Sequence, residues 1–561
     1  MKEKCFIPVI VCALLLCVSG LFAATLNVGA GKPYATISAA LADAGVGDTI
    51  IVDPGTYAEA IKVTKPGIKI YGPNRDVEPY TQNRGPEAVI VHTTPPATIM
   101  VDLGAGATAA GVEFNGFKID GENKAIQTGK TAAQAGSDDI FAYNIVTNFD
   151  GKGVGGGGPN CQIAHNLVTN IINLSGTGGN TGIHTSTGGT AGATLKIIYN
   201  TLININYAGI QPGNQSYYDV MGNNIQNTGR HGINIGSNSR FVRVIGNRIA
   251  NVNYQDNRTD EDTGGIRAYC NPPFINSDIE IAYNTVENAM NGLHFRGSMC
   301  DETRDEWNGV DGCNPFSAGG CTYPGVLKGE YQHPMGIPPN MTVHDNNFIN
   351  CLNWGINAFR PIQPGDCGYT DPPVVLDAQN NYIEGNINGD VSTTVTQNNN
   401  PAASIILGDS DGDGIDDWEE IYIYGTDPND ADQDNDGVLD GVQLKLGGDP
   451  KNGTPAPGPV PGPGDSDGDG YYDWYEALVG TSWTDKNDYP KLGDINKNGV
   501  IDNGDAAIVY NFVLGKIEGF GFDPDRMDVN QDGVVNNLDA NILFNKFLGI
   551  AGYGILPYRL P

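Results

Sequence analysis

Basic residues are scarce in this chain. Its 561 residues carry 65 Asp and Glu against 32 Lys and Arg, a formal net charge of −33. Such a surface repels nucleic acid and anionic membranes unless cations neutralise it, which argues against both as partners. Long apolar runs are also missing. The one candidate, Phe6 to Leu16, follows Lys2 and Lys4 and precedes small residues at Ala23 and Ala24. It falls short of the ~20 residues that span a bilayer and reads as a cleaved secretory leader, residues 1–23. The mature chain is therefore expected to have no membrane span. No CxxC pair or Cys/His spacing suggests zinc. Seven cysteines follow the leader. Cys270, Cys300, Cys313, Cys321, Cys351 and Cys367 cluster, and in an oxidising compartment would form up to three disulfides. Cys161 is left over as a buried thiol. Leucine at fixed solenoid spacings is absent, and 77 glycines argue against helical repeats.

What is present is a repeat. Between about residues 110 and 400 one pattern returns: apolar alternation, Asn, a second Asn, then Gly with Ile or Leu. Examples are IIYNTLIN with AGIQ, VMGNNIQN with HGINI and IAYNTVEN with NGLHFR. The first Asn falls at 144, 166, 200, 223, 247, 284, 346 and 380. The shortest steps fit one coil of a solenoid, and longer steps add an insertion. Alternation of Ile, Val, Tyr and Thr specifies strands, with Gly and Asn at the turns. The spacing predicts a parallel β-helix with coils about 4.8 Å apart. Its asparagines would stack in a structural ladder. A short helix from Thr36 to Asp43 would cap the first coil.

Much of the charge sits in the last quarter, where residues 409–561 hold 30 acidic against 9 basic side chains. A twelve-residue loop recurs there five times, with oxygen side chains at positions 1, 3, 5, 9 and usually 12 and Gly at position 6. That spacing wraps hard oxygen ligands around Ca²⁺. The ligand positions are Asp409, Asp411, Asp413, Asp417 and Glu420 in the first loop, and Asp432, Asp434, Asp436 and Asp440 in the second. They are Asp465, Asp467, Asp469, Asp473 and Glu476 in the third, and Asp494, Asn496, Asn498, Asp502 and Asp505 in the fourth. The fifth has Asp528, Asn530, Asp532, Asn536 and Asp539. Gln443 stands at position 12 of the second loop, so that loop should bind calcium more weakly or borrow a ligand. Metal binding and folding are coupled in such segments.

These motifs resemble known families. YATISAALADA, GDTIIVDPGTYAE and IKIYG, within residues 25–72, resemble the opening of the pectate-lyase-like right-handed β-helix superfamily, and the Asn/Gly coils resemble its repeats. Residues 409–450 and 465–490, including GTDPND, resemble bacterial thrombospondin type 3-like repeats. Residues 491–549 resemble a dockerin, with each loop followed by a helix (AAIVYNFVLGK and ANILFNKFLG). The resemblance implies a mainly β protein: a right-handed parallel β-helix solenoid (24–404), then small calcium-binding loop modules (405–450 and 465–490). A Pro/Gly spacer (451–464) separates those modules. An α-helical, EF-hand-like dockerin (491–549) and a tail (550–561) follow. It also implies a cohesin as partner and a secreted, extracellular or cell-surface complex. Dockerins commonly choose partners through loop positions 10 and 11, often Ser-Thr. Here these are Asn503-Gly504 and Asn537-Leu538.

A β-helix does not fix a function. The signatures of polygalacturonases (GHG, NTD), pectin methylesterases (QDT, GRPW) and alginate epimerases (DPH) are absent. Strand alternation, however, sends the residue after each Gly-Ile or Gly-Leu outward. It stacks His184, Gln211, Asn234, Arg267, His294 and Asn357 in one column, with Ser186, Tyr269, Arg296 and Phe359 two residues on. His231 precedes its Gly. Such a strip could seat an acidic polysaccharide. Gln211, Asn234, Tyr269, Arg296, Asn357 and His231 are candidate binding residues, and Arg267, His294 and His184 are candidate bases for β-elimination. An always-protonated Arg is the chemically harder choice. Asp256, Asp260, Glu261 and Asp262, in an acidic insertion beside Arg267, could hold a calcium ion bridging a uronate. The insertion 297–340, with Trp307 and Tyr323, would wall the strip. Two rival readings are a non-catalytic carbohydrate-binding or adhesive protein and a glycoside hydrolase, which needs two suitably spaced carboxylates.

Overall fold

Apolar residues two apart along each short strand build the architecture. In the computed structural model the chain passes in turn through three sheets. Ile140–Ala142 lies in sheet 1, Ile145–Phe149 in sheet 2 and Gly151–Gly156 in sheet 3, and Gln162–Ala164 returns to sheet 1 one coil higher. Among the described residues sheet 1 has 13 strands and sheets 2 and 3 have 11 each. All pairing between coils is parallel and in register, as in Phe141 beside Ile163 and Ile163 beside Ile197. The structure describes residues 23–548 apart from 80–83, 93–97, 105–108, 123–129, 174–179, 214, 237–238, 254–262, 271–276, 298–340, 359–375, 387–388, 392–394, 399–407, 436–438, 446–447, 452–465, 467, 469–483, 488–491, 496–500, 514–523, 528, 531–534 and 536. Residues 1–22 of the leader and 452–464 of the Pro/Gly spacer thus lie outside it.

The inner faces form one continuous apolar core. Phe114, Phe141, Ile163, Ile197, Val220, Val244, Ile281 and Val343 stack along sheet 1, and Val168, Leu202, Ile225, Ile249, Val286 and Phe348 along sheet 2. The first coil is closed by helix α1 (Ile37–Asp43), which buries Ile37 and Ala40. Its amino end is held by Thr36 Oγ1, which accepts from Ala39 N, and by the Glu59 carboxylate, which accepts from Ile37 N and Ser38 N at 2.8 Å each. This is the expected cap, and it satisfies donors that a helix start leaves open.

Two polar ladders run along the coils. The inner one links Asn144, Asn166, Asn200, Asn223, Asn247, Asn284, Asn346 and Asn381, each buried, with amide Nδ2 donating to the Oδ1 of the next. The last rung is Asn381, not Asn380 as the repeat pattern suggested. Asn380 sits one residue earlier, in the left-handed turn (φ 52°) that precedes every rung. The outer ladder joins Asn148, Asn170, Asn204, Asn227, Asn251 and Asn288, all left-handed (φ 54–59°).

The recurring glycine before each Ile or Leu has a steric cause. A Cβ on Gly232 would sit 2.4 Å from Ile249 Cγ2, and one on Gly265 would sit 2.1 Å from Val286 Cγ1. Sheet 2 of one coil thus packs directly against the start of sheet 3. Gly265→Ala should therefore destabilise the β-helix by about 3 kcal/mol through overpacking, measured as a lower denaturation midpoint.

The cysteine expectation is corrected at one position. Cys351 is a buried free thiol, pushed up to about 12 by burial, so the six clustered cysteines do not all pair. It packs in the apolar core as a small hydrophobe does. Cys161 is the expected buried thiol.

Candidate functional site

Sheet 3 sets the candidate strip. Ile183, Ile210, Ile233, Ile266, Leu293 and Ile356 fill the core and pair in register, so the residue after each falls in one row. Asn234 pairs with Arg267, Arg267 with His294, and His294 with Asn357. His184 and Gln211 extend the row by the same register. Arg267 Nη1 donates to Asn234 Oδ1 at 3.1 Å, and Asn357 Nδ2 to Asn291 Oδ1 at 3.1 Å. Tyr269 and Arg296 are paired along the backbone two residues on. Their side chains, Phe359, the acidic residues Asp256, Asp260, Glu261 and Asp262, and nearly all of the insertion 297–340 lie outside the described residues. His231 is fully buried and meets Tyr207 edge-on, with ring centroids 5.9 Å apart.

The row is not uniformly open. Asn234, Arg267, His294 and Asn357 are only 5%, 5%, 2% and 8% exposed, whereas His184 and Gln211 are half-buried. The accessible chemistry gathers at the His184 end. There Lys152 Nζ lies 3.3 Å from His184 Nδ1. Gly155 stands in the row directly before His184 and leaves that approach clear of a side chain. Burial lowers the pKa of Lys152. Burial and the Lys152 charge lower that of His184, which holds the imidazole neutral near pH 7. Lys152 carries no sequence signal beyond being the lone cation of GKGVGGGG.

The second site is the calcium loop that starts at Asp409. Asp409 accepts from the backbone N–H groups of Gly412, Asp413 and Gly414, which wraps the loop. Two carboxylate groups of three converge, Asp409/Asp411/Asp413 and Asp413/Glu420/Asp440, each with one oxygen per residue within 4.8 Å of the others. The second set is fully buried, and neither oxygen of Glu420 accepts a well-formed hydrogen bond. Burial, reinforced by neighbouring carboxylates, pushes Asp413 and Glu420 up to about 8 and Asp440 up to about 6. Buried, mutually repelling carboxylates, with both Glu420 oxygens and Asp440 Oδ2 left without a donor, are what a hard divalent cation fits, and these residues would hold Ca²⁺.

Asp417 accepts from the N and Oγ of Ser410, and Asp440 of the second loop lies with Asp413 and Glu420. Gln443 is buried and donates to Asp434 at 3.1 Å. Asp432 belongs to the described part of that loop, but Asp436 does not.

The third loop's ligands Asp465, Asp467, Asp469, Asp473 and Glu476 lie outside the described residues, as do Asn496, Asn498, Asp528, Asp532 and Asn536. In the fourth and fifth loops Asp494, Asp505 and Asp539 are buried. Asp505 accepts from Asp502 N, and Asp539 from Val529 N and Asn530 N. Each starts a helix, Asn503–Val513 and Asn537–Phe547. The helices share a core of Ala506, Val509, Ala540, Ile542 and Leu543, joined by Val442 of the short helix Asp440–Lys445.

The comparisons agree with this layout. Residues 492–548 match the dockerin type I domain, and residues 409–431 match the bacterial TSP3 repeat. No curated protein matches the chain. Its fold is similar to that of the catalytic domain of an α-1,3-glucanase, at 14% identity and TM-score 0.35 over 63% of this chain and 65% of that one. It is also similar to the A-module of an Azotobacter vinelandii mannuronan C-5 epimerase, at 13% identity and TM-score 0.32 over 65% and 93%. A third likeness is to pectate lyase Pel9A, at 14% identity and TM-score 0.30 over 73% and 87%. At these levels the likeness concerns the fold alone.

The molecule is a parallel β-helix protein. It carries a bacterial TSP3 repeat and, at its carboxyl end, a dockerin type I domain, both calcium-binding modules. Dockerin domains bind cohesins. No described helix is long and apolar enough to cross a membrane.

Proposed function

We propose that this is a secreted, polysaccharide-active protein, a lyase on uronate-containing chains, tethered by its dockerin to a cohesin. The carrying observation is the in-register row on sheet 3, with the Lys152–His184 pair at its half-buried end. β-Elimination breaks the C–H bond α to a carboxylate and expels the oxygen on the next carbon. It needs a base of lowered pKa and a cation on that carboxylate. Lys152 and His184 supply groups whose proton affinities are shifted in the right sense. Arg267 and His294 lie further along the row but are buried, so the open His184 end is the part that would meet substrate. Exposed Tyr510, Phe544, Phe547 and Leu548 on the dockerin helices offer an apolar surface for the cohesin.

A second reading is favoured by the burial of Asn234, Arg267, His294 and Asn357: a non-catalytic carbohydrate-binding protein that uses only the open end of the strip. A panel of pectin, alginate and glycosaminoglycan, followed at the absorbance of unsaturated products and by reducing ends, separates the two. Unsaturated product is expected from at least one uronate polymer. Binding without turnover across the panel supports the second reading. New reducing ends without unsaturation would point to a glycosidase.

A further inference from the structure

The turn before each rung of the inner Asn ladder is left-handed, and most coils place a large side chain there. The series along the coils runs Tyr143, His165, Tyr199, Gly222, Gly246, Tyr283, Asp345. The first three rings stack, with centroids 4.7 Å and then 5.1 Å apart. The stack then stops at two glycines (φ 60° and 64°), and one more ring, Tyr283, follows them. Trp418 of the first calcium loop fills that gap. Its ring lies 5.9 Å from Tyr199, is 3% exposed, and packs with Met221, Ile245 and Ala282. A Cβ on Gly246 would come within 2.5 Å of Trp418 Cδ2 and Cε2. Polar contacts rim the seat. Tyr199 Oη donates to Glu419 Oε1 at 2.7 Å, Tyr422 Oη to Glu280 Oε1 at 2.8 Å, and Arg248 lies 3.6 Å from Asp416.

Trp418 and Glu419 occupy loop positions 10 and 11, directly before the buried carboxylate of Glu420 at position 12. One helical turn, Asp417–Glu419 continued by Glu420–Tyr424, carries the cation-facing residue and the three seat residues Trp418, Glu419 and Tyr422. We propose that the Gly222–Gly246 gap is a docking site for this loop and that calcium bound at Asp413 and Glu420 locks it there. Loading the loop fixes the turn that presents Trp418, and seating Trp418 holds Glu420 toward the ion. Each event therefore favours the other, as linkage requires. The consequence reaches the other end of the module. Val442, whose neighbour Asp440 shares the ion site, packs into the dockerin core. Calcium would then hold the dockerin in a set orientation on the β-helix, independently of any chemistry on sheet 3.

The decisive variant is Gly246→Tyr. Tyrosine already occupies this conformation at positions 143, 199 and 283 (φ 53–55°), so the turn accepts it, and the three atoms nearest a Cβ at 246 all belong to Trp418. It extends the β-helix's own ring stack and evicts the tryptophan. The full chain is brought from chelator into excess calcium. Readouts are iodide quenching of Trp418, taken as the difference from W418F, and the thermal midpoint of the β-helix. In the parent chain calcium should cut quenching of Trp418 about 10-fold and raise the midpoint. In G246Y the β-helix should fold, Trp418 should stay quenchable, and calcium should no longer move the midpoint. Equal protection of Trp418 with and without calcium in the parent chain overturns the proposal, as does protection that persists in G246Y.

Discussion

Replacing Asn247 by alanine should cost about 4 kcal/mol, close to the limit for one buried polar side chain. The amide is fully buried in the middle of the solenoid. Its Nδ2 donates to Val220 O at 2.8 Å, Ile245 O at 3.1 Å and Asn284 Oδ1 at 2.9 Å. Its Oδ1 accepts from the backbone N and the Nδ2 of Asn223, at 3.0 and 2.9 Å. Alanine would strand the Asn223 N–H where no water reaches it and would take a donor from Val220 O and Ile245 O, the latter keeping its bond from Gly222 N. Each such orphan costs roughly 1–3 kcal/mol, offset in part by relaxation. Asn227→Ala gives the contrast. This outer-ladder residue is half-buried, and the change loses amide contacts of 3.2 Å while forcing Ala into a left-handed turn. That should cost about 1–2 kcal/mol. Paired urea titrations measure both, and equal midpoints for the two variants would remove the inner ladder from its special place. Because each coil contacts only its neighbours, Asn247→Ala should also split the transition in two.

The coil pattern was legible because every coil repeats the same three local demands. An amide must bridge to the next rung, a glycine must let sheet 2 approach, and an aliphatic residue must fill the interior. Each leaves one residue type at one spacing. The Asn380/Asn381 slip arose where two asparagines adjoin and both satisfy the letter pattern, while only one turns inward. Alternation also reported which wall Arg267 and His294 share, but not that their row is closed to solvent there. Alternation assigns a face, whereas burial depends on what crosses it. The calcium loops were legible as loops, since position 6 glycine and odd-numbered acids are backbone requirements. The approach of Asp440 to Asp413 and Glu420 was not, because a carboxylate brought in by the following loop leaves no spacing signal. The seat of Trp418 was equally hidden. It is written as two glycines interrupting a series of rings, a pattern visible only once the turns are aligned.

The largest effect on turnover is expected at Lys152. Its ammonium is partly desolvated, which pulls its pKa down toward working pH, while the neighbouring imidazole is held neutral. With Lys152 donating to Nδ1, His184 carries its proton on Nε2, which on the proposed lyase reading suits it to hold the substrate and leaves Lys152 as the proton acceptor. Only its neutral form works, so the rate should climb with pH and level off below the ordinary lysine range near 10.5. Lys152→Met should lower kcat about 10²–10³-fold. Lys152→Arg keeps the charge and so should hold KM near the parent value, yet lose kcat as severely, because a guanidinium does not deprotonate. His184→Gln retains a donor and should cost about tenfold, mostly in KM. The opposite outcome is equally specific. If kcat survives Lys152→Arg and the pH profile shows a single acid limb below 6.5, where His184 gains its proton, then the imidazole is the base. Lys152 would in that case serve as the cation that holds the substrate carboxylate in place.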